Sequence, residues 1–485
     1  MLLLQNKEIR NVLIAFLIGL IIAVALPPVN GLTPSGVLVI AILIPTLFLW
    51  ITTNTHWVSL LFLMALVMTR VMSPNVVWQN SIGHFAVMTL LTYTLLTACL
   101  NETGMIDKAA SWFITRPFVR GRPYMFLLMF NASNVFIGIF VNNLSLAVIY
   151  IGLTAVVCDK IGIKRGDPLY TIMVLGTLWG NCVLAIASPG NALPLMMLGF
   201  IQNQLGVSIS FVQWFIVATP FLICQLAVIM ICIRILNPDT TIIKNFDIDE
   251  YKRNDPPLSK RGTIAGITMV VVVMSIYIPQ TLLMFGVWEG VTSYIANLGP
   301  VVPAGIGIAV LCLVHAEGKA VMDYQECAKQ VPLPLLLFIG SSTVMSVVMS
   351  DPSIGVSTWL GNLLSPLVAG IPPIMIVFVL ILIGHFISQF VSNAVTLVLI
   401  FNIGLALLAG TGVNLVMFGV VVTFMCVISC CTPSSAMAAA MYYSEGYITI
   451  RNAIKGNLLF IFLTMMVLFV VVVPFASFFF RNVAF

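Results

Sequence analysis

The chain has 485 residues, of which 60% are hydrophobic and only 8% charged, against about 25% charged in a soluble domain. Most of its surface must therefore meet lipid, which leaves no room for a soluble domain and argues against a nucleic-acid partner. The net charge of +5 comes from 21 basic and 16 acidic residues, and where those charges lie says more than their sum.

At about 20 residues per crossing, the length allows more than ten spans. Lys7 and Arg10 precede the first apolar run, 11–28, in which Ala23-Val24-Ala25 imitates a signal-peptide end. Nothing downstream resembles a secreted domain, so this run is expected to be an uncleaved span with its basic end in the cytoplasm. Further apolar segments lie at 35–53, 57–73, 85–100, 124–158, 168–201, 211–236, 263–285, 297–314, 332–350, 372–410, 414–443 and 456–480. Segments 124–158, 168–201 and 372–410 are too long for one ordinary crossing, and 414–443 is long and carries a break.

Basic residues orient the chain, because short cytoplasmic loops are enriched in Lys and Arg. Arg116, Arg120 and Arg122 precede segment 124–158, and Lys160, Lys164 and Arg165 follow it. Both flanks are thus cytoplasmic, and the segment is predicted to be a re-entrant hairpin with its tip at Val141-Asn142-Asn143-Leu144. Segment 168–201 then runs outward to the uncharged Gln202-Asn203-Gln204. Segment 211–236 returns to a linker holding Lys244, Lys252, Arg253, Lys260 and Arg261. Segments 263–285 and 297–314 go out and back, and 332–350 goes out again.

From Val331 to Ile450 there is no Lys or Arg. Segment 372–410 starts and ends among uncharged residues and mirrors the first hairpin, with its tip at Val391-Ser392-Asn393-Ala394. Segment 414–443 runs inward to Arg451 and Lys455, and the last span leaves the C-terminus outside. Arg70 alone disagrees, falling at the outer end of the third span, where a snorkelling side chain costs little.

The two halves compare in order. Asn142-Asn143 is followed by Ala187-Ser188-Pro189-Gly190-Asn191, and Ser392-Asn393 by Cys431-Thr432-Pro433-Ser434-Ser435. The spacing is 46 residues from Asn143 to Pro189 and 40 from Asn393 to Pro433. Hairpins entering from opposite sides make an inverted-topology repeat, whose solute site is expected near the midplane at discontinuous helices. Unpaired backbone at that depth is tolerated only where it is buried in protein or lines a cavity. Its helix N-termini favour an anion and its freed carbonyls a cation.

The remaining motifs read as packing. The ten cysteines form no CxxC pair and no Cys/His cluster, and the 25 methionines are spread through the spans. His385, four residues before Gln389, reads first as a hydrogen-bonded packing residue, with a proton relay or solute contact as the alternative. Glu102 and Asp107 are expected to cap a helix end or stay solvated. Trp57, Trp78 and Trp288 fit an aromatic belt. There is no HExxH, no nucleotide-binding glycine loop and no cluster of acid, base and nucleophile, so enzyme chemistry is not expected.

At the two tips and two breaks the chain resembles the divalent-anion:sodium symporter family, carriers of dicarboxylates, citrate and sulfate. Tyr442-Tyr443-Ser444-Glu445-Gly446-Tyr447-Ile448-Thr449 and Leu47-Phe48-Leu49-Trp50-Ile51-Thr52 also resemble family segments. The resemblance departs at the tips, where Asn142 stands for the family's serine and Leu144 and Ala394 for its threonines, and at the breaks, where Gly190 stands for the second Pro beside the retained Pro189 and Asn191, and where Thr432-Pro433 is followed by Ser434-Ser435.

The resemblance implies an all-α polytopic membrane protein of two inverted-topology repeats, each with a re-entrant hairpin and a broken helix. It implies scaffold spans and a first connecting arm over 1–122, and the first half of a transport domain over 123–236. A cytoplasmic linker would occupy 237–262, scaffold spans and a second arm 263–370, and the second transport half 371–485. Asn142, Asn143, Ser392, Asn393, Ser188 and Thr432 would bind substrate. Asn142, Asn143, Gly190, Asn191, Ser392, Asn393, Pro433 and Ser434 would hold sodium, the coupling ion. A homodimer in the inner (plasma) membrane, carrying a small anion by an elevator motion, is the implied assembly. A sodium-independent exchanger of the same fold, or a carrier of a monovalent or neutral solute, are the alternatives; a channel or a non-transporting scaffold fits the paired hairpins poorly.

Overall fold

The computed structural model describes residues 7–53, 57–141, 143–187, 190–255, 257–433, 435–444 and 447–481. Asn142, Ser188, Pro189, Ser434, Glu445 and Gly446 therefore lie outside the described residues.

In lipid every backbone polar group needs an internal partner, and each apolar run becomes helix. The chain begins with α1 (Lys7–Ala25), α2 (Pro34–Thr52), α3 (Val58–Met68), α4 (Pro74–Asn80) and α5 (Phe85–Glu102). A short surface helix, α6 (Met105–Ile114), precedes α7 (Pro123–Ile137) and α8 (Asn143–Ile161). Then come α9 (Pro168–Leu184), α10 (Ala192–Leu205) and α11 (Phe211–Leu236). A polar linker carries α12 (Ile248–Asn254) to α13 (Lys260–Met284), α14 (Glu289–Asn297) and α15 (Val301–Leu313). A two-stranded turn pairs β1 (His315–Ala316) antiparallel with β2 (Lys319–Ala320), and α16 (Tyr324–Lys329) follows. The chain ends with α17 (Leu333–Ser350), α18 (Val356–Val368), α19 (Pro373–Ser388), α20 (Asn393–Leu408), α21 (Leu415–Val427), α22 (Met437–Ser444), α23 (Ile450–Val467) and α24 (Val473–Phe479). A π-helical turn, Leu468–Val472, joins the last two without a stop.

Local chemistry sets the helix ends. Proline occupies the first turn of α2, α4, α7, α9, α17 and α19, where its missing N–H costs nothing. Ser210 and Gln213 form a reciprocal capping box at the start of α11, and Asn414 Oδ1 accepts from Met417 N at 2.9 Å to start α21.

The order of elements after α5 recurs after α17. Each of these 18-residue helices leads to a short amphipathic helix, a helix–turn–helix pair, and a helix broken in its middle. The short helices α6 and α18 both follow a left-handed glycine, Gly104 (φ 72, ψ 12) and Gly355 (φ 77, ψ 11), a conformation that costs glycine little. In the first pair the arms face each other through Phe130 and Tyr150, 5.7 Å between ring centroids, and through the Ser133–Tyr150 hydroxyl pair. In the second, a Cβ built on Gly384 would lie 2.8 Å from Ile400 Cγ1.

Two groups of helices result. α5 packs with α13, α15 and α17. α9 packs against α7, α8, α11, α22 and α23, while α21 packs on α19 and α20. α10 touches both groups, lying against α5 and α17 on one side and α21 on the other.

Among the described residues, eight helices are long and apolar enough to cross a membrane, or nine if the pair α14–α15, bent by 72°, counts as one span. All thirteen apolar segments contain helix, but one of them differs from expectation. The segment 57–73 is not one straight span: α3 is 11 residues, about 16 Å, and the chain turns at Arg70 (φ 58) before α4. Arg70 lies in that turn, two residues past the end of α3, and so still at the end of a span. α14 was not expected as a helix. Glu102 stays exposed at the end of α5, as expected, and there pairs with Arg261 at 3.1 Å.

Candidate functional site: two turns and two helix breaks

The first turn, Gly138 to Val141, separates α7 from α8, and residues 185–191 separate α9 from α10. These two non-helical stretches are bonded together. Asn143 N donates to Asn191 Oδ1 at 3.2 Å, and Asn181 Nδ2 donates to Asn143 O at 2.7 Å. Asn191 therefore does not cap its own helix; its side chain holds the start of α8. Backbone partners fix both amides, leaving Asn191 Nδ2 and Asn181 Oδ1 buried and without a partner among the described residues. Gly190 sits against α5: a Cβ there would stand 2.8 Å from Tyr93 Cβ.

The second turn, Gln389 to Ser392, separates α19 from α20, and residues 428–436 separate α21 from α22. Asn393 N donates to Ser435 O at 3.2 Å. Gln389 Oε1 accepts from Cys430 N and Cys431 N at 3.2 and 3.1 Å, while Thr432 Oγ1 donates to Gln389 O. Ser429 Oγ donates to Ser388 Oγ at 2.7 Å. Asn393 is buried, and its Oδ1 has no partner. Ser392 and Pro433 are exposed.

α9 links the two assemblies through consecutive residues. Asn181 holds the first turn, and Cys182 Sγ donates to Ser429 O of the second break at 3.6 Å. One turn back, Trp179 Nε1 donates to Asn457 Oδ1, and Asn457 Nδ2 donates to Cys430 O and Tyr443 Oη, each at 2.8 Å. Among the described residues no hydrogen bond joins Asn143 or Asn191 directly to Ser392 or Asn393.

No charged side chain lies between Arg122 and Asp159, between Asp167 and Arg234, or between Asp351 and Glu445. The field at these turns therefore comes from backbone. α8 and α20 begin at the turns and α10 at a break, each N-terminus carrying roughly +0.5 elementary charge. A buried polar atom left unpaired costs about 1–3 kcal/mol. Here the unpaired set is a donor, Asn191 Nδ2, and two acceptors, Asn181 Oδ1 and Asn393 Oδ1. Each is a hydrogen-bonding atom that a polar ligand could satisfy.

Of the residues singled out from sequence, Asn143, Gly190 and Asn191 come together at the first turn. Ser392, Asn393, Thr432 and Pro433 come together at the second. Sequence reasoning missed Asn181, Asn457 and the role of Gln389. Each is an amide inside an apolar run, a signal that marks polar business in a membrane helix without saying with whom. His385 Nε2 lies 3.2 Å from Gln389 Nε2, so it packs against the residue that secures the second break.

A family profile described as citrate transporter matches residues 45–423. The chain is 25% identical to a sodium-dependent dicarboxylate transporter, SdcS, of Staphylococcus saprophyticus, over 97% of this chain and 94% of that one. It is also 21% identical to Na(+)/dicarboxylate cotransporter 3 of Rattus norvegicus and of Mus musculus, in each case over 30% of this chain and 24% of the relative.

Proposed function

Since the chain belongs to the citrate transporter family, as its resemblance to the divalent-anion:sodium symporters led us to expect, we propose that it is a sodium-coupled secondary carrier of a small di- or tricarboxylate. It is a multi-pass membrane transport protein and not an enzyme. The unpaired amides carry the site reading: Asn181 and Asn191 lie where α9 holds the first turn to the first break, and Asn393 lies where the second turn is bonded to the second break. The solute's carboxylates take the helix N-termini and the polar groups of Asn142, Asn143, Ser188, Ser392 and Asn393, with Thr432 holding the second break in place through its hydroxyl bond to Gln389 O. Sodium takes side-chain and main-chain oxygens around Asn142, Asn143, Gly190, Asn191 on one side and Ser392, Asn393, Pro433, Ser434 on the other.

The supporting physics is electrostatic. With no basic side chain near the turns, an anion needs a cation to enter with it. Each net positive charge carried inward gains about 2.3 kcal/mol per 100 mV. The proposed moving body comprises 123–236 and 371–485, the proposed scaffold the remaining spans in a homodimer, and the motion an elevator. The N-terminus is cytoplasmic and the C-terminus outside the plasma membrane.

Uptake of radiolabelled citrate and succinate into proteoliposomes tests this reading. Saturable uptake that requires an inward sodium gradient is expected, with Asn393→Ala abolishing it while the variant still elutes as a folded species. Counterflow without sodium dependence would favour an exchanger, and uptake of neither acid would favour a monovalent or neutral solute, which the apolar tip residues Leu144 and Ala394 would suit. Full uptake by Asn393→Ala would remove the site assignment.

A further inference from the structure

A cleft of about 750 Å³ opens between α6, α7 and the end of α12, lined by Lys108, Trp112, Arg116, Met129, Phe136 and Lys252 among others. A second pocket of about 250 Å³ continues it, sharing Met105, Ala109, Phe113 and Phe136 and ending at Phe140 and Val141 of the first turn. The two parts differ in chemistry. At the mouth, Lys108 is neutralised by Asp255 at 2.7 Å, but Arg116 and Lys252 have no carboxylate partner among the described residues. The Arg116 guanidinium lies 4.1 Å above the Trp112 ring, and its Nε donates to Trp112 O at 2.8 Å. Its terminal NH2 groups have no protein acceptor among the described residues. Further in, the lining is wholly apolar, and Trp112 and Phe136 remain 53% and 51% exposed.

A cationic mouth leading to an apolar slot selects an amphiphile with a negative head. We propose that this groove holds an anionic glycerophospholipid, its phosphate on Arg116 and Lys252 and one acyl chain running past Phe113 and Phe136 towards Val141. A free phosphate has no use for the slot, and a peptide would bring backbone groups into it that find no partners. The same face carries Arg122 and Arg253 as well as Arg120, which Asp249 neutralises, and basic residues at a membrane surface attract anionic lipid. The chain would lie between α5 and α13 on one side and α7 on the other, filling the gap beside the first turn. The proposal goes beyond the transport reading and rests on it only for placing the groove in the cytoplasmic leaflet.

Native mass spectrometry of the detergent-purified full chain tests binding without reference to transport. Phosphatidylglycerol and phosphatidylcholine with matched acyl chains are the probes. Wild type should retain phosphatidylglycerol preferentially. R116Q/K252Q should lower that retention about five-fold for each charge removed with an unchanged melting temperature in lipid-free detergent. Ala109→Trp, which blocks the slot and leaves the charges, should lose the lipid as well. Equal retention of the two lipids by wild type, or unaltered phosphatidylglycerol retention by R116Q/K252Q, overturns the proposal. A carrier inactive in every uptake assay would leave it standing.

Discussion

Gln389 replaces with one side-chain oxygen what the break after α21 takes away. A helix that stops in mid-membrane leaves its last carbonyls without N–H partners, and the non-helical residues beyond it carry N–H groups that reach no helix carbonyl; Gln389 Oε1 meets two of these, at Cys430 and Cys431. The same residue's carbonyl takes the Thr432 hydroxyl, so one position on α19 secures three consecutive residues of the break. Gln389→Leu leaves both N–H groups buried and unpaired, at about 1–3 kcal/mol each. It should lower the melting temperature and remove uptake together. Gln389→Glu keeps the acceptors and should recover part of the melting temperature; because it sets a negative charge beside the second turn, uptake of an anion should stay lost. Wild-type stability in Gln389→Leu would show that water or a rearranged backbone takes over these bonds.

At the scale of elements, the turns and breaks were legible because they interrupt long apolar runs. Asn142-Asn143, Ser392-Asn393 and the two Pro-bearing stretches are punctuation that a continuous lipid-facing helix has no reason to carry. Partnership was not legible. Asn181 meets Asn143, and Trp179 meets Asn457 across 278 residues, and neither pairing leaves a local mark. The bend at Arg70 escaped because 57–73 is apolar throughout its first part, and hydropathy alone does not register where a helix stops.

Gly190 carries a prediction of the same scale. It is the point where the first break rests on α5, with Tyr93 Cβ and Cδ1 each 2.8 Å from where a Cβ would be. An added methyl group in a packed site costs about 1–3 kcal/mol. Gly190→Ala should therefore push the break off α5 and slow uptake. Its sodium- and citrate-induced thermal shifts should persist, since Asn143 and Asn191 bond to each other and not to Tyr93. Loss of those shifts along with uptake would mean that α5 is part of the binding site and not only a surface against which it rests.

For the whole molecule, the distribution of charge and the contacts of α10 bear on one question, whether the two groups of helices move. Each charged residue at the bilayer centre costs about 2.5–3.5 kcal/mol on insertion scales, so a body that slides through the membrane is best built without them. The stretches 123–158, 168–233 and 352–444 contain none, whereas all four ion pairs among the described residues involve the arm, the linker or the ends of α5, α13 and α16. α10 is where the second group of helices meets α5 and α17. At that contact a Cβ on Gly199 would lie 2.8 Å from His84 Cε1, so that ring must give way, and 3.5 Å from Thr343 Cγ2, close enough for a disulfide once it has. Gly199→Cys/Thr343→Cys should cross-link on oxidation, stop uptake, and regain it when reduced, while the same oxidant leaves the wild type unaffected. Eight of its ten cysteines are buried. A cross-linked pair that transports at the full rate would mean that α10 and α17 keep their places through the cycle, and the sliding motion would have to be given up for a local opening of the turns.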